Sequence, residues 1–167
     1  MSVYRPSPAP SFLRRRGAMM RASREALDVH EALMIGPEGA DLALAEAMLR
    51  LTFGYGIHVA PARTIGQGLD LLLGGMPDLI LLSDELPPQD DAMGVMPILR
   101  RRGYHGPIVV IGPQGGRDRV KVLRAAGAAD ALVRREVEGA RFAEAILAAG
   151  THGPTQSSPQ TGSRVNI

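Results

Sequence analysis

Between residues 31 and 150 the hydrophobic pattern changes period repeatedly. Short apolar runs of strand length alternate with stretches whose apolar residues recur every three or four positions. ALMI (32–35) predicts a buried strand bounded by the turn signal GPEG, and ADLALAEAMLRL (40–51) sets Leu44, Met48 and Leu51 at helical spacing. IHVA (57–60) predicts a second strand. TIGQGLDLLLGG (64–75) predicts a helix that starts near Thr64, stops at a Gly pair and is weakened by Gly66 and Gly68. PDLILLS (77–83) is almost continuously apolar, as expected of a strand buried on both faces of a parallel sheet. AMGVMPILRRRG (92–103) reads as a helix that Pro97 kinks or delays. PIVVIG (107–112) is another buried strand, and GRDRVKVLRAAG (116–127) is a helix with Val120, Leu123 and Ala126 on one face. ADALV (129–133) and GARFAEAILAAG (139–150) complete a fifth strand and a fifth helix.

Strand followed by helix, five times with short connections, demands a mostly parallel sheet with helices on both faces and right-handed crossovers. Sites in such sheets gather at the carboxyl ends of the strands. Here those ends fall near Gly36–Glu38, Ser83–Asp84, Gly112–Pro113 and Arg134.

The flanks differ in character. Residues 1–28 open with the Pro- and Ser-rich SVYRPSPAPS and are expected to form a basic, disordered arm. Residues 29–150 form the domain, and THGPTQSSPQTGSRVNI (151–167) has no apolar periodicity and reads as a disordered tail. The net charge of +2 hides a split: residues 1–30 hold six Arg against Glu25 and Asp28, whereas residues 31–150 hold twelve basic and fifteen acidic residues. The arm therefore suits nucleic acid, an anionic membrane or an acidic partner. RRRGAMM lacks the apolar stretch of a secretory signal, and no apolar run is long enough to span a bilayer, so a cytoplasmic protein is expected. The absence of cysteine excludes disulfides, thiolate metal sites and cysteine nucleophiles. Only 4% of residues are aromatic and none is Trp, which argues against base-stacking platforms.

Three stretches carry a resemblance. PDLILLSDELPPQDD (77–91), GPIVVIG (106–112) and RVKVLRAAGAADALVRR (119–135) are similar to the motifs of response-regulator receiver domains, the CheY-like phosphoacceptor modules of two-component signalling. The last is the most specific, because it matches helix, Gly stop and strand together. The resemblance covers about residues 30–149 and implies a flavodoxin-like (βα)₅ three-layer α/β sandwich with sheet order 2-1-3-4-5.

It also implies where the chemistry of the family would sit. Receivers hold Mg²⁺ with an acid pair after the first strand and form an acyl phosphate on an Asp ending the third. A Thr or Ser ending the fourth strand and a Lys ending the fifth contact the phosphoryl group. At the matching positions this sequence has Gly36–Pro37 with Glu38 next door, Ser83, Gly112 and Arg134. PDL upstream and LP downstream both place the acceptor at Ser83; Asp84 is one residue late, and a one-residue shift on a strand turns the side chain to the opposite face. Gly36, Pro37, Glu38, Asp84, Gly112 and Arg134 thus read as vestigial pocket positions around an inactive acceptor equivalent, Ser83. The resemblance then implies a pseudo-receiver: no enzyme, no cofactor, and a phosphorylation-independent protein-interaction module. Receivers commonly meet partners or dimerise through the fourth helix, fifth strand and fifth helix. Here that face is expected to carry Arg119, Lys121, Arg124 and Arg135, with Arg117 and Arg141 nearby, and to suit a signalling protein with an acidic surface or a homodimer.

Blander and rival readings stand beside these. Ser83 is expected to be a plain hydrogen-bonded strand end and Asp84 an exposed loop acid. Glu38, Asp84, Asp90 and Asp91 are expected to form a solvated acidic rim. GPQGG (112–116) lacks the Lys and Ser/Thr of a P-loop, and IGPEGA (35–40) lacks the full three-Gly dinucleotide spacing. His30, His58, His105 and His152 show no metal-ligand spacing. The alternatives are a small-anion or nucleotide binding domain, favoured by a ligand at Gly36–Glu38 or Gly112–Gly116, and a nucleic-acid or membrane binder acting through the arm. No helix-turn-helix pattern follows residue 150, so DNA-binding output is not expected.

Overall fold

The computed structural model describes residues 29–86, 90–112 and 116–151. The expected arm (1–28) and all of the expected tail beyond Thr151 lie outside the described residues. Within them the chain runs β1 (Glu31–Ile35), α1 (Ala40–Phe53), β2 (His58–Ala62), α2 (Ile65–Leu73), β3 (Leu79–Ser83), α3 (Ala92–Arg101), β4 (Ile108–Ile111), α4 (Gly116–Ala125) and β5 (Asp130–Leu132), then a single turn α5 (Arg134–Val137) and α6 (Ala140–Thr151). The five strands form one parallel sheet in the order β2-β1-β3-β4-β5. The expected (βα)₅ architecture and strand order are those observed.

Alternation along the central strands builds two cores. Leu79, Leu81, Val109 and Ile111 point to the layer of α1 and α6, where they meet Leu49, Phe142 and Ile146. Ile80, Leu82, Ile108 and Val110 point to the layer of α2, α3 and α4, where they meet Leu72, Leu99 and Leu123. Burial on both faces explains the unbroken apolar runs of β3 and β4.

Element ends depart from the expected ones for local reasons. β2 runs on to Ala62 and takes in Pro61. The bonds His58 N–H to His30 and Gly36 N–H to Ala62 run to β1, so alternation leaves Pro61 facing the open edge, where its missing N–H breaks no bond of the sheet. Thr64 caps α2 by accepting the Gln67 N–H. Gly68 is not simply a weak helix residue: a Cβ there would stand 2.8 Å from Ile35 Cδ1, so its lack of a side chain brings α2 close to β1. Pro97 neither starts nor ends α3, which continues through it from an Asp91 cap. The turn α5 was not expected. It is closed by the Val133 N–H donating to the Glu136 carboxylate at 3.0 Å and anchored by the fully buried Val137.

Candidate functional site

Four chain segments meet at the carboxyl edge of the sheet. Their hydrogen bonds continue the parallel ladder past the strand ends: Gly36 N–H donates to Ala62, Asp84 N–H to Ile111 and Gly112 N–H to Leu132. Gly36, Asp84 and Gly112 are therefore drawn together by the sheet itself. Arg134 follows as the first residue of α5, beyond the end of β5.

Ser83 and Asp84 face opposite ways, as alternation requires. Ser83 turns toward β1 and α1. A Cβ on Gly36 would stand 2.5 Å from Ser83 Cβ and 2.9 Å from Leu42 Cδ1, so the space at residue 36 is already filled. The Ser83 hydroxyl oxygen accepts the Glu85 N–H at 3.3 Å. Gly112 closes the same corner with φ +71°, a left-handed conformation that β-branched residues avoid. A Cβ on Gly112 would lie 3.3 Å from Asp41 Oδ2. Asp41, in the first turn of α1, is thus the acid that the fold carries toward this corner, and sequence reading passed over it because it lies inside a helix pattern.

Asp84 turns the other way and is not the exposed loop acid expected. It is 7% exposed. Arg119 of α4 grips it through both carboxylate oxygens, Nε to Oδ2 at 2.9 Å and Nη2 to Oδ1 at 2.8 Å. Oδ1 also accepts the Ala92 N–H at 3.2 Å. The same Nη2 reaches Asp91 Oδ2 at 2.9 Å, while Asp91 Oδ1 caps α3 through the Gly94 N–H. Asp84 therefore leaves the expected acidic rim, whereas Asp91 stays half-exposed and Asp90 is exposed. The paired N–H to carbonyl bonds of Leu86 and Asp90 hold Asp84 and Asp91 side by side. The Gly94 N–H and then the Arg119 guanidinium keep the Asp91 carboxyl below the usual aspartate range, and the two carboxylates raise the basicity of Arg119.

The other expected pocket residues disperse. Pro37 and Glu38 line a cleft of about 490 Å³ with Met34, Leu42, Pro61 and Gln67, between the segments leaving β1 and β2. Glu38 pairs there with Arg63, both largely exposed. Glu38 and Asp84 are thus directed apart, and among the described residues no three acids or histidines are grouped to hold a metal ion. A Mg²⁺ site of the receiver kind does not fit these residues: Gly36 and Pro37 offer no carboxylate, and Asp84 is committed to Arg119.

The expected basic face also changes. Arg119 is spent on Asp84 and Asp91, and its side chain is only 24% exposed. Arg124 donates through Nε at 2.9 Å and Nη2 at 2.5 Å to Oδ1 of Asp130, while Arg141 of α6 donates to Oδ2 at 2.8 Å. Asp130, only 4% exposed, ties α4 and α6 to β5. It carries no sequence signal that sets it apart from a surface acid. Arg119 is therefore largely withdrawn from the expected face, whereas Arg124, although paired with Asp130, is still 47% exposed. Lys121 and Arg135 remain exposed, as do Arg117 and, on α4, Val122.

No family model and no curated protein matches the chain. Solved structures do match in fold. A putative response regulator from Chloroflexus aurantiacus superposes at TM-score 0.55 with 23% identity, over 72% of this chain and 98% of that one. The receiver domain of Francisella response regulator 1452 gives 0.55 at 18%, over 71% and 95%. The signal receiver domain of the putative response regulator NarL from Mycobacterium tuberculosis gives 0.54 at 21%, over 74% and 97%. The fold is that of a receiver domain. Among the described residues no helix is long and apolar enough to cross a membrane.

Proposed function

We propose that the chain is an atypical receiver, a non-enzymatic interaction module in the cytoplasm that acts in two-component or related bacterial signalling without being phosphorylated. The observation that carries this reading is the contact between Gly36 and Ser83. Where relatives of this fold would hold an acid pair and an acceptor Asp, a glycine backbone packs against a serine side chain with no room for a Cβ. Asp84, the nearest carboxylate in sequence, is buried on the other side and held by Arg119. The partner is a protein with an acidic surface, meeting the exposed Arg117 and Lys121 of α4, the helix that also exposes Val122, and the exposed Arg135 of α5. A homodimer through the same face is the alternative arrangement.

Incubation of the full chain with Mg²⁺ and acetyl phosphate, followed by intact mass measurement, tests the central claim. No mass gain is expected. A stoichiometric phosphate that disappears in Asp84→Asn would show that Asp84 leaves Arg119 and works as an acceptor.

A second reading has one observation in its favour. The cleft beside Gly36–Glu38 has the size of a small-molecule site, and Arg63 stands at its rim. A small anion or nucleotide bound there must displace Glu38 from Arg63. Saturable binding of nucleotides or inorganic phosphate, lost in Arg63→Ala, would favour this reading over the adaptor.

A further inference from the structure

Helix α4 is thinly anchored for a member of the layer that it forms with α2 and α3. Of its ten residues only Leu123 is buried, with Val120 partly packed beside it. Arg117, Asp118, Lys121, Val122 and Ala125 face outward. Apolar burial on this scale holds a helix weakly, because helical stability in proteins comes mainly from packing of an apolar face. Its two ends are instead tied by charge. Near the amino end, Arg119 reaches Asp84 and Asp91 on either side of the β3–α3 connection. Near the carboxyl end, Arg124 reaches the buried Asp130. Glycines with positive φ bracket the helix: Gly112 (+71°) before it, Gly116 (+63°) at its first position and Gly127 (+111°) after it.

We propose that the Arg119 clasp is the latch that seats the amino-terminal half of α4, coupling the loop after β3 to the outer surface of that helix. With the latch closed, Lys121 and Val122 are presented in one fixed place. With it open, Leu123, Val120 and the Arg124–Asp130 tie are the side-chain restraints left on the helix among the described residues, and the bracketing glycines permit it to move. The latch joins groups 28 and 35 residues apart in sequence, so it forms only when the loop after β3 and α4 are both in place. Arg119 is on this view a positioning residue. Its seating role is independent of what α4 meets, and its consequence for partner binding rests on the function proposed above.

Hydrogen exchange of the full chain, followed by peptide-resolved mass spectrometry, tests the latch without any partner. In Arg119→Gln, amides of residues 117–125 are expected to exchange about tenfold faster or more, while those of α1 and α6 keep their protection, the mark of local opening. Arg119→Lys, which keeps the charge and loses the two-pronged grip, should fall between the two. The double variant Arg119→Gln/Asp84→Asn removes the buried carboxylate with its partner, and should expose the same helix with less loss of global stability. Unchanged α4 protection in a folded Arg119 variant would overturn the latch. So would an equal rise in exchange across α1, α4 and α6 in both the single and the double variant, because that is global destabilisation. Neither outcome depends on phosphorylation, so a failed latch and a failed pseudo-receiver reading are told apart.

Discussion

Gly36 and Ser83 illustrate how one small residue decides what a strand end can do. The backbone at Gly36 is unremarkable in φ, so its requirement is for space and not for a left-handed conformation. A methyl group there meets Ser83 Cβ at 2.5 Å, an atom one bond from the main chain that has no rotamer to escape into. Gly36→Ala is therefore expected to lower stability by about 1–3 kcal/mol, the usual cost of overpacking a filled site. Urea unfolding of the variant against wild type measures it; no loss would mean that β1 and β3 separate there easily. Gly36, Ser83 and Gly112 were all legible in sequence as strand-end positions. Their mutual packing was not, because it depends on β1 and β3 lying side by side although 47 residues separate Gly36 from Ser83.

At the scale of elements, β5 shows how charge joins secondary structure that apolar burial alone leaves loosely joined. Its first residue, Asp130, is buried yet fully engaged: it accepts from Arg124, Arg141 and the Ala131 N–H. The two arginines stay partly exposed at 47% and 36%, so they lose little hydration in the pair. Asp130→Ala should then cost about 1–3 kcal/mol, the value of lost charge-assisted hydrogen bonds, because both cations can return to water. Thermal or urea unfolding checks this, and a cost near zero would make Asp130 dispensable to the joint of α4, β5 and α6. The strands and helices themselves were largely readable, since their apolar periods are set locally. The turn α5 was missed: four residues are too few for a period, and its stability comes from Val137 entering a core built by α1 and α6.

For the molecule as a whole, the two cores lie on opposite faces of one sheet and share every central strand. A break in β3 or β4 removes residues from both at once. Residues 29–151 are therefore expected to unfold as a single cooperative unit, with far-UV circular dichroism and the fluorescence of the buried Tyr104 following one transition. Two separated transitions would show that one helical layer leaves before the other. By itself the sequence determined the class of fold, the strand order through its resemblance, and the positions that end each strand, because hydrophobic period and turn residues act over a few neighbours. Only the tertiary structure decided which charges are free. Asp84 and Arg119, or Asp130 and Arg141, look like ordinary surface ions along the chain. They become internal ties because the sheet and its helices bring them within hydrogen-bond distance, and a charge that leaves water needs a partner there.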